Sequence, residues 1–266
     1  MSRSSTDLRT TLVSEALTHI LRGIGDSIVR LSIGGTFPSF FEETIEQLRS
    51  HSIRGSRLTI LYDSLGGLLR FRALFGDRLD EESSSILHGR VQELHRGLEQ
   101  IDSEGLRDEL DKSLTADLSR MLEEYQVYIK ETSDSINDFG RMNDDEFLDV
   151  RDDIDFMTSY RDTAECVSLA ADSIGHPHGV NDWLASITSH DAILRTILIR
   201  AVERAPSLFE GGSNLESHER LEYPPEVCWW DWLRLEERQK RPLSDIFGFD
   251  PEEVRRKLAS IRPINS

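Results

Sequence analysis

The stretch "LTILYDSLGGLLRFRALF", Leu58–Phe75, decides the fold class. Leu58, Leu61, Leu65, Leu68, Leu69 and Phe75 recur at three- and four-residue intervals. That is the period of an α-helix, not the alternation of a half-buried strand. The spacing predicts a helix over 56–76. Gly66-Gly67 interrupts it at a cost of about 1 kcal/mol per glycine. A helix carrying such a pair either crosses a neighbour closely or breaks there.

The same period extends in both directions. Phe40, Phe41, Ile45 and Leu48 predict a helix over 38–50, separated from the first stretch by "IRGS". Upstream, Leu12, Leu17, Ile20, Leu21, Ile24 and Ile28 predict a helix over 6–33, ended by "IGGTFP". Downstream, a helix over 80–101 is expected to turn Ile86, Leu87, Val91, Leu94 and Leu98 inward. A leucine stripe from Leu106 to Ile129 follows, with a break expected near 103–113. The acidic segment 144–174 is helical by period and stopped by Gly175, and 181–204 holds one or two further helices.

No alternating run of strand type occurs. The expected fold is therefore all-α: a multi-helix bundle over 1–205, a linker over 206–225 and a small C-terminal helical subdomain over 226–266. The last helix start is well signalled, by Asp250 as N-cap, Pro251 at N1, and Glu252 and Glu253 complementing the helix dipole.

Composition narrows the function classes. Hydrophobic residues make up 38% and charged residues 30% of 266, enough for a globular core. Apolar runs such as "AILRTILI" fall far short of the roughly 20 residues that span a bilayer. The N-terminus lacks the apolar core of a secretory signal. The protein is expected to be intracellular, in the cytoplasm, with no membrane partner. The formal net charge is −18, with only four lysines among the 31 cationic residues. Such a balance suits a high-salt cytoplasm or a GC-rich genome, and it repels nucleic acid unless a local exception exists. Cys166 and Cys228 are too few for a disulfide framework and read as buried thiols.

Several motifs invite chemistry. The run "NDDEFLDVRDDIDF" resembles the paired-aspartate motif of isoprenoid synthases, and "NDWLAS" resembles the second metal motif of terpene cyclases. That resemblance implies magnesium held against a diphosphate. Here the first motif is one residue short, Ala185 and Ser189 stand at two ligand positions, and the motifs lie about one helix apart. A solvated helix face is the better reading. "RVQELH", Arg90–His95, resembles the Arg-x4-His motif of HEPN ribonucleases over six residues only, with Val91 where a polar residue is usual. His176, His178 and His190 with Cys166 lack the second tight pair that zinc sites use. No nucleophile elbow, dinucleotide fingerprint or P-loop occurs. The sequence thus calls for no catalytic residue, no cofactor and no metal.

Two binding candidates remain, both in the C-terminal segment. Three of the four tryptophans, Trp229, Trp230 and Trp232, crowd into "CWWDWLR" beside Arg234. Trp and Arg are the usual anchors of protein interfaces. At helical spacing Trp229, Trp232 and Leu233 share a face that would clamp the subdomain to the bundle, leaving Trp230 as the exposed anchor. The tail "KRPLSDIFGFDPEEVRRKLASIRP" has the form of a helix-turn-helix, with Arg255, Arg256, Lys257 and Arg262 on or beside its second helix. From Leu233 onward eight basic residues face six acidic ones, the local exception that the global charge demands. Against it, Glu252 and Glu253 occupy the end of the helix that normally meets bases.

The leading expectation is a non-catalytic helical interaction or scaffold protein with a protein partner, open to self-association. The alternative is a nucleic-acid-associated regulator acting through the tail.

Overall fold

The leucine-rich stretch forms one unbroken helix, Arg57–Phe75, in the computed structural model. The structure describes residues 17–18, 20–28, 30–53, 57–175 and 179–204. Of the described residues 87% are helical and none lies in a strand, so the expected all-α bundle is what the chain forms. The helices are α1 (helical at 17–18, 20–28 and 30), α2 (Phe37–Arg49), α3 (Arg57–Phe75), α4 (Glu81–Ser103), α5 (Arg107–Ser135), α6 (Asp144–Ile174), α7 (Val180–Thr188) and α8 (Asp191–Arg204). Among the described residues no helix is long and apolar enough to cross a membrane.

Helix α3 is the axis of the bundle. Leu58, Leu61, Leu65, Leu68, Phe71 and Phe75 bury one side of it, and Tyr62, Leu69, Gly66, Arg70 and Leu74 bury the rest of its circumference. A helix apolar on every side must be enclosed, and α4, α5 and α6 enclose it. Its most extensive partner is α6. A Cβ on Gly66 would stand 1.8 Å from the Cys166 carbonyl oxygen, so the two backbones touch. Around this point α6 carries small residues, Ala164, Cys166, Ser168, Ala170 and Ala171, all buried. A second close approach joins α4 to α2, where the Phe41 ring occupies the space a Cβ on Gly97 would take, 2.1 Å away.

The helix ends follow local chemistry. Thr36 caps α2 in a box with Ser39, Asp80 caps α4 by accepting from the Ser83 N–H, and Asn143 with Glu146 boxes the start of α6. Gly175, left-handed at φ +72°, closes α6. Arg204 at the end of α8 donates to the carbonyls of Phe139 and Met142, both at 3.1 Å, tying α8 to the entry of α6.

Several expectations need refinement. The Gly66-Gly67 pair marks a crossing and no break, because the helical turn tolerates glycine where a partner backbone fills the missing side chain. The break expected over 103–113 is confined to 104–106, since Gly105 reverses the chain at φ +72°. Two helices, α7 and α8, occupy the 181–204 region. Between them the hydroxyls of Ser186, Thr188 and Ser189 turn back onto backbone carbonyls and satisfy the end of α7. Ile86 is 50% exposed and not inward, because it lies one step off the Leu87, Val91, Leu94 and Leu98 face. The predicted linker 206–225 and subdomain 226–266 lie outside the described residues, as does 6–16 of the first predicted helix.

The two adjacent glycines should respond oppositely to alanine. Gly66→Ala drives a Cβ into backbone that has no room to give and should destabilise by about 2–3 kcal/mol, the upper part of the overpacking range. Gly67→Ala meets nothing nearer than the Cys166 sulfur at 3.9 Å and should gain up to about 1 kcal/mol of helix propensity. Urea unfolding of the two variants measures both signs.

Candidate functional site

Helix α3 is apolar except for a few polar positions, and two of them, Asp63 and Arg70, lie two turns apart on one face. That face meets α6. Arg70 is buried, its Nη2 donating to Asp162 Oδ2 at 3.0 Å, with Nη1 2.7 Å from Asp162 Oδ1. Nη1 also donates to Glu165 Oε2 at 3.3 Å. Glu165 passes the connection on: its Oε1 lies 3.0 Å from Arg161 Nη2. Arg161, likewise buried, donates two bonds to Asp191 at the start of α8, at 2.8 and 3.1 Å. One ion network therefore fastens α3, α6 and α8. Cys166 lies against it as a neutral thiol: burial pushes its pKa well up, and the neighbouring Asp162, Asp63 and Glu165 add to this against the pull of Arg70.

Asp63 extends the network to the surface. It is half-buried and hydrogen-bonded to Thr163 and Cys166. Burial, with the Asp162 charge second, pushes its carboxyl up to about 6, partly opposed by Arg70. Asp63 lines a cleft of about 220 Å³ between α3, α5 and α6. Thr59, Arg120, Ser159, Tyr160 and Thr163 supply its polar wall, and Ile60 and Met121 its apolar wall. Arg120 is held by Asp117 and Glu124, each at 3.4 Å, and the Tyr160 hydroxyl donates to Glu124 at 2.5 Å. Beyond the Thr59–Asp117 hydrogen bond (3.3 Å) a second depression of about 210 Å³ is bounded by His51, Leu58 and Glu109.

The opposite kind of surface appears at the turn between α1 and α2. Ile33 is 98% exposed there, with Leu31 beside it at 37%. This turn is held firmly. Glu43 Oε1 accepts from Ser32 Oγ (3.0 Å), the Ile33 N–H (2.9 Å) and the Gly34 N–H (3.3 Å). Buried Arg57 donates to Glu43 Oε2 at 3.3 Å, to the Leu31 carbonyl, to the Phe40 carbonyl at 3.2 Å and to Thr44 Oγ1 at 3.1 Å. Desolvation opposes the Glu43 charge, but the bonds from Ser32, Gly34, Arg57 and Ile33 outweigh it and lower the pKa. On α4, Arg90 lies over the Phe37 ring at 4.2 Å, and Ile86 stands one turn before it.

Every binding residue singled out from the sequence, Trp229, Trp230, Trp232, Arg234, Arg255, Arg256, Lys257 and Arg262, lies outside the described residues. So do His176, His178 and Cys228. His190 packs edge-on against Tyr125 at 5.9 Å, its Nδ1 3.1 Å from the Ser186 carbonyl oxygen. Among the described residues no group of three or more His, Cys, Asp or Glu is placed to hold a metal ion. The acidic run of α6 pairs locally, Arg151 with Asp152 at 2.7 Å, and Arg90 and His95 pair with their own Glu93 and Glu99. Asp63, Arg57, Glu43 and Ile33 were not singled out from the sequence. A single acid, with an Arg at i+7 on the same face, inside a largely apolar helix is the signal that marks the first of them.

Comparison with protein-family models, with curated proteins and with solved structures finds no match, so sequence and geometry carry the reading.

The raised carboxyl has a sign. Asp63 ionises near pH 4 in the unfolded chain, at about the free-aspartate value, and near 6 when folded. Its ionisation therefore costs folding free energy, not at all below about pH 4, increasingly up to about pH 6 and constantly above. Asp63→Asn should be more stable than the native chain by about 1–2 kcal/mol at neutral pH, with the gap closing below about pH 4. Arg70→Met, which strands two carboxylates, should cost about 3 kcal/mol or more. Urea unfolding across pH reads both effects.

Proposed function

We infer that this chain is a non-catalytic helical interaction protein that docks a protein partner through exposed apolar surface and its Trp/Arg-rich C-terminal segment. The observation that supports this reading is the Ile33 turn. A β-branched apolar side chain 98% exposed is ordinary on a loose loop. Here a buried arginine and a glutamate hold the turn in one geometry, so the exposed side chain is presented in a fixed place. Pre-organised apolar anchors lower the ordering cost of association. Leu31 and Ile86 add apolar area to the same molecule's surface, at 37% and 50% exposure. Trp229, Trp230, Trp232 and Arg234 supply the residue types that dominate interface energetics.

A second reading rests on charge. The segment from Leu233 onward carries a surplus of two positive charges in a chain of −18, with Arg255, Arg256, Lys257 and Arg262 as its phosphate-facing candidates.

Quantitative affinity capture with the full chain from its native host separates the readings. A stoichiometric partner, or a second copy of the chain, should be retained by the native protein and reduced about tenfold or more by Ile33→Asp or by Trp229→Ala with Trp232→Ala. Ile33→Asp should leave the unfolding midpoint unchanged, since the side chain buries almost nothing. Binding to duplex DNA that falls by about 10³-fold or more between low and moderate salt, and that Arg255→Ala with Arg256→Ala removes, would replace the first reading by the second.

A further inference from the structure

The ion network, two buried arginines among half-buried carboxylates, is unbalanced. Among the described residues, Asp63, Asp162, Glu165 and Asp191 gather around two guanidinium groups, Arg70 and Arg161. Asp162 and Glu165 hold Arg70 in close ion pairs, while Glu165 and Asp191 hold Arg161, so Asp63 is the carboxyl that keeps a through-space attraction to Arg70 and hydrogen bonds from Thr163 and Cys166. It is also the one that lines a cleft.

The cleft has the matching character. Among the described residues the cation on its wall is Arg120, which pairs with Asp117 and Glu124. With Asp63 ionised, the cleft and its rim carry an excess of negative charge, which draws a cation and rejects an anion. The hydroxyls of Thr59 and Thr163 beside Asp63 offer acceptor lone pairs to further N–H donors. Ile60 and Met121 form an apolar wall for an alkyl chain. A volume of about 220 Å³ lies below the roughly 300–1,000 Å³ of pockets for drug-sized ligands and suits a ligand of a handful of heavy atoms. A divalent metal requires several converging oxygen ligands, and among the described residues no such group of carboxylates and histidines forms.

We propose that the α3–α5–α6 cleft binds a small primary alkylammonium ion, its charged head on the Asp63 carboxylate and its chain along Ile60 and Met121. The ligand supplies the counter-charge that the network lacks, and it makes ionised Asp63 favourable where burial alone disfavours it. This site is separate from the Ile33 turn and does not depend on the interaction reading.

Calorimetric titration of the full chain with n-butylammonium chloride at neutral pH, with ionic strength held constant by sodium chloride, tests the site. Saturable one-to-one binding is expected, weakened about tenfold or more by Asp63→Asn. That variant introduces no bulk and is expected to fold at least as stably as the native chain. Ser159→Trp, which fills the cleft mouth and leaves Asp63 in place, should weaken binding comparably, with circular dichroism confirming its fold. The proposal is overturned by the absence of saturable heat, by Asp63→Asn binding as tightly as the native chain, or by n-butanol binding as tightly as n-butylammonium. The last result would show that the apolar wall, and not the carboxylate, holds the ligand.

Discussion

The contact between Gly66 and the Cys166 carbonyl sets the geometry on which the rest of the bundle depends. Two helices with ordinary side chains at their crossing keep their axes 8–10 Å apart, or about that. Removing the Cβ at Gly66 lets the α3 and α6 backbones meet, and small residues on α6 accommodate the approach. Once the axes are that close, side chains flanking the contact are brought within reach of the opposite helix. Asp63 lies three residues before Gly66 and Arg70 four after it, on either side of the crossing. Their meetings with Thr163, Asp162 and Glu165 are consequences of a missing methyl group one turn away.

Arginine explains how such a chain holds polar groups inside. Among the described residues three buried arginines each join separate elements: Arg57 ties α3 to α2 and the turn before it, Arg70 ties α3 to α6, and Arg161 ties α6 to α8. A guanidinium presents five donors in a planar fork and can satisfy two carboxylates or several carbonyls at once. A lysine ammonium, a compact and strongly hydrated charge, cannot make these bridges at the same desolvation cost. Four lysines among 31 cations is therefore consistent with an acidic chain whose interior cations must each serve more than one partner. Such pairs add little net stability over apolar packing, yet losing one member leaves an uncompensated charge, so removing a partner costs more than the intact pair contributes.

Most of the bundle was legible because helical periodicity survives in a single line of sequence. Leu58 to Phe75, the leucine stripe of α5 and the capped start of α6 all repeat their apolar residues at the period of the helix they form. The misreadings fall where local pattern is ambiguous. Ile86 is apolar but 100° away from its helix's buried face, about the angle between successive helical residues, and composition cannot register that offset. The acidic run of α6, so prominent as a string of letters, is a largely solvated face on which Arg151 pairs with Asp152 and Asp155. Asp63 attracted no notice among leucines, although an acid within an enclosed helix is the rarer event. Its significance needs the residues from α5 and α6 that surround it, which are about 55 to 100 positions away in the chain.

By itself the sequence determined the helical class, most helix boundaries to within a few residues, and the strong negative charge, because each is set by composition or by chemistry within a turn or two of the residue concerned. Only the tertiary structure decided that Gly66-Gly67 is a contact and not a break, that Arg70 and Arg161 close one network across three helices, and that a polar cleft opens beside Asp63. These depend on which helix faces meet, and burial and electrostatic fields act through space between residues that the chain keeps far apart.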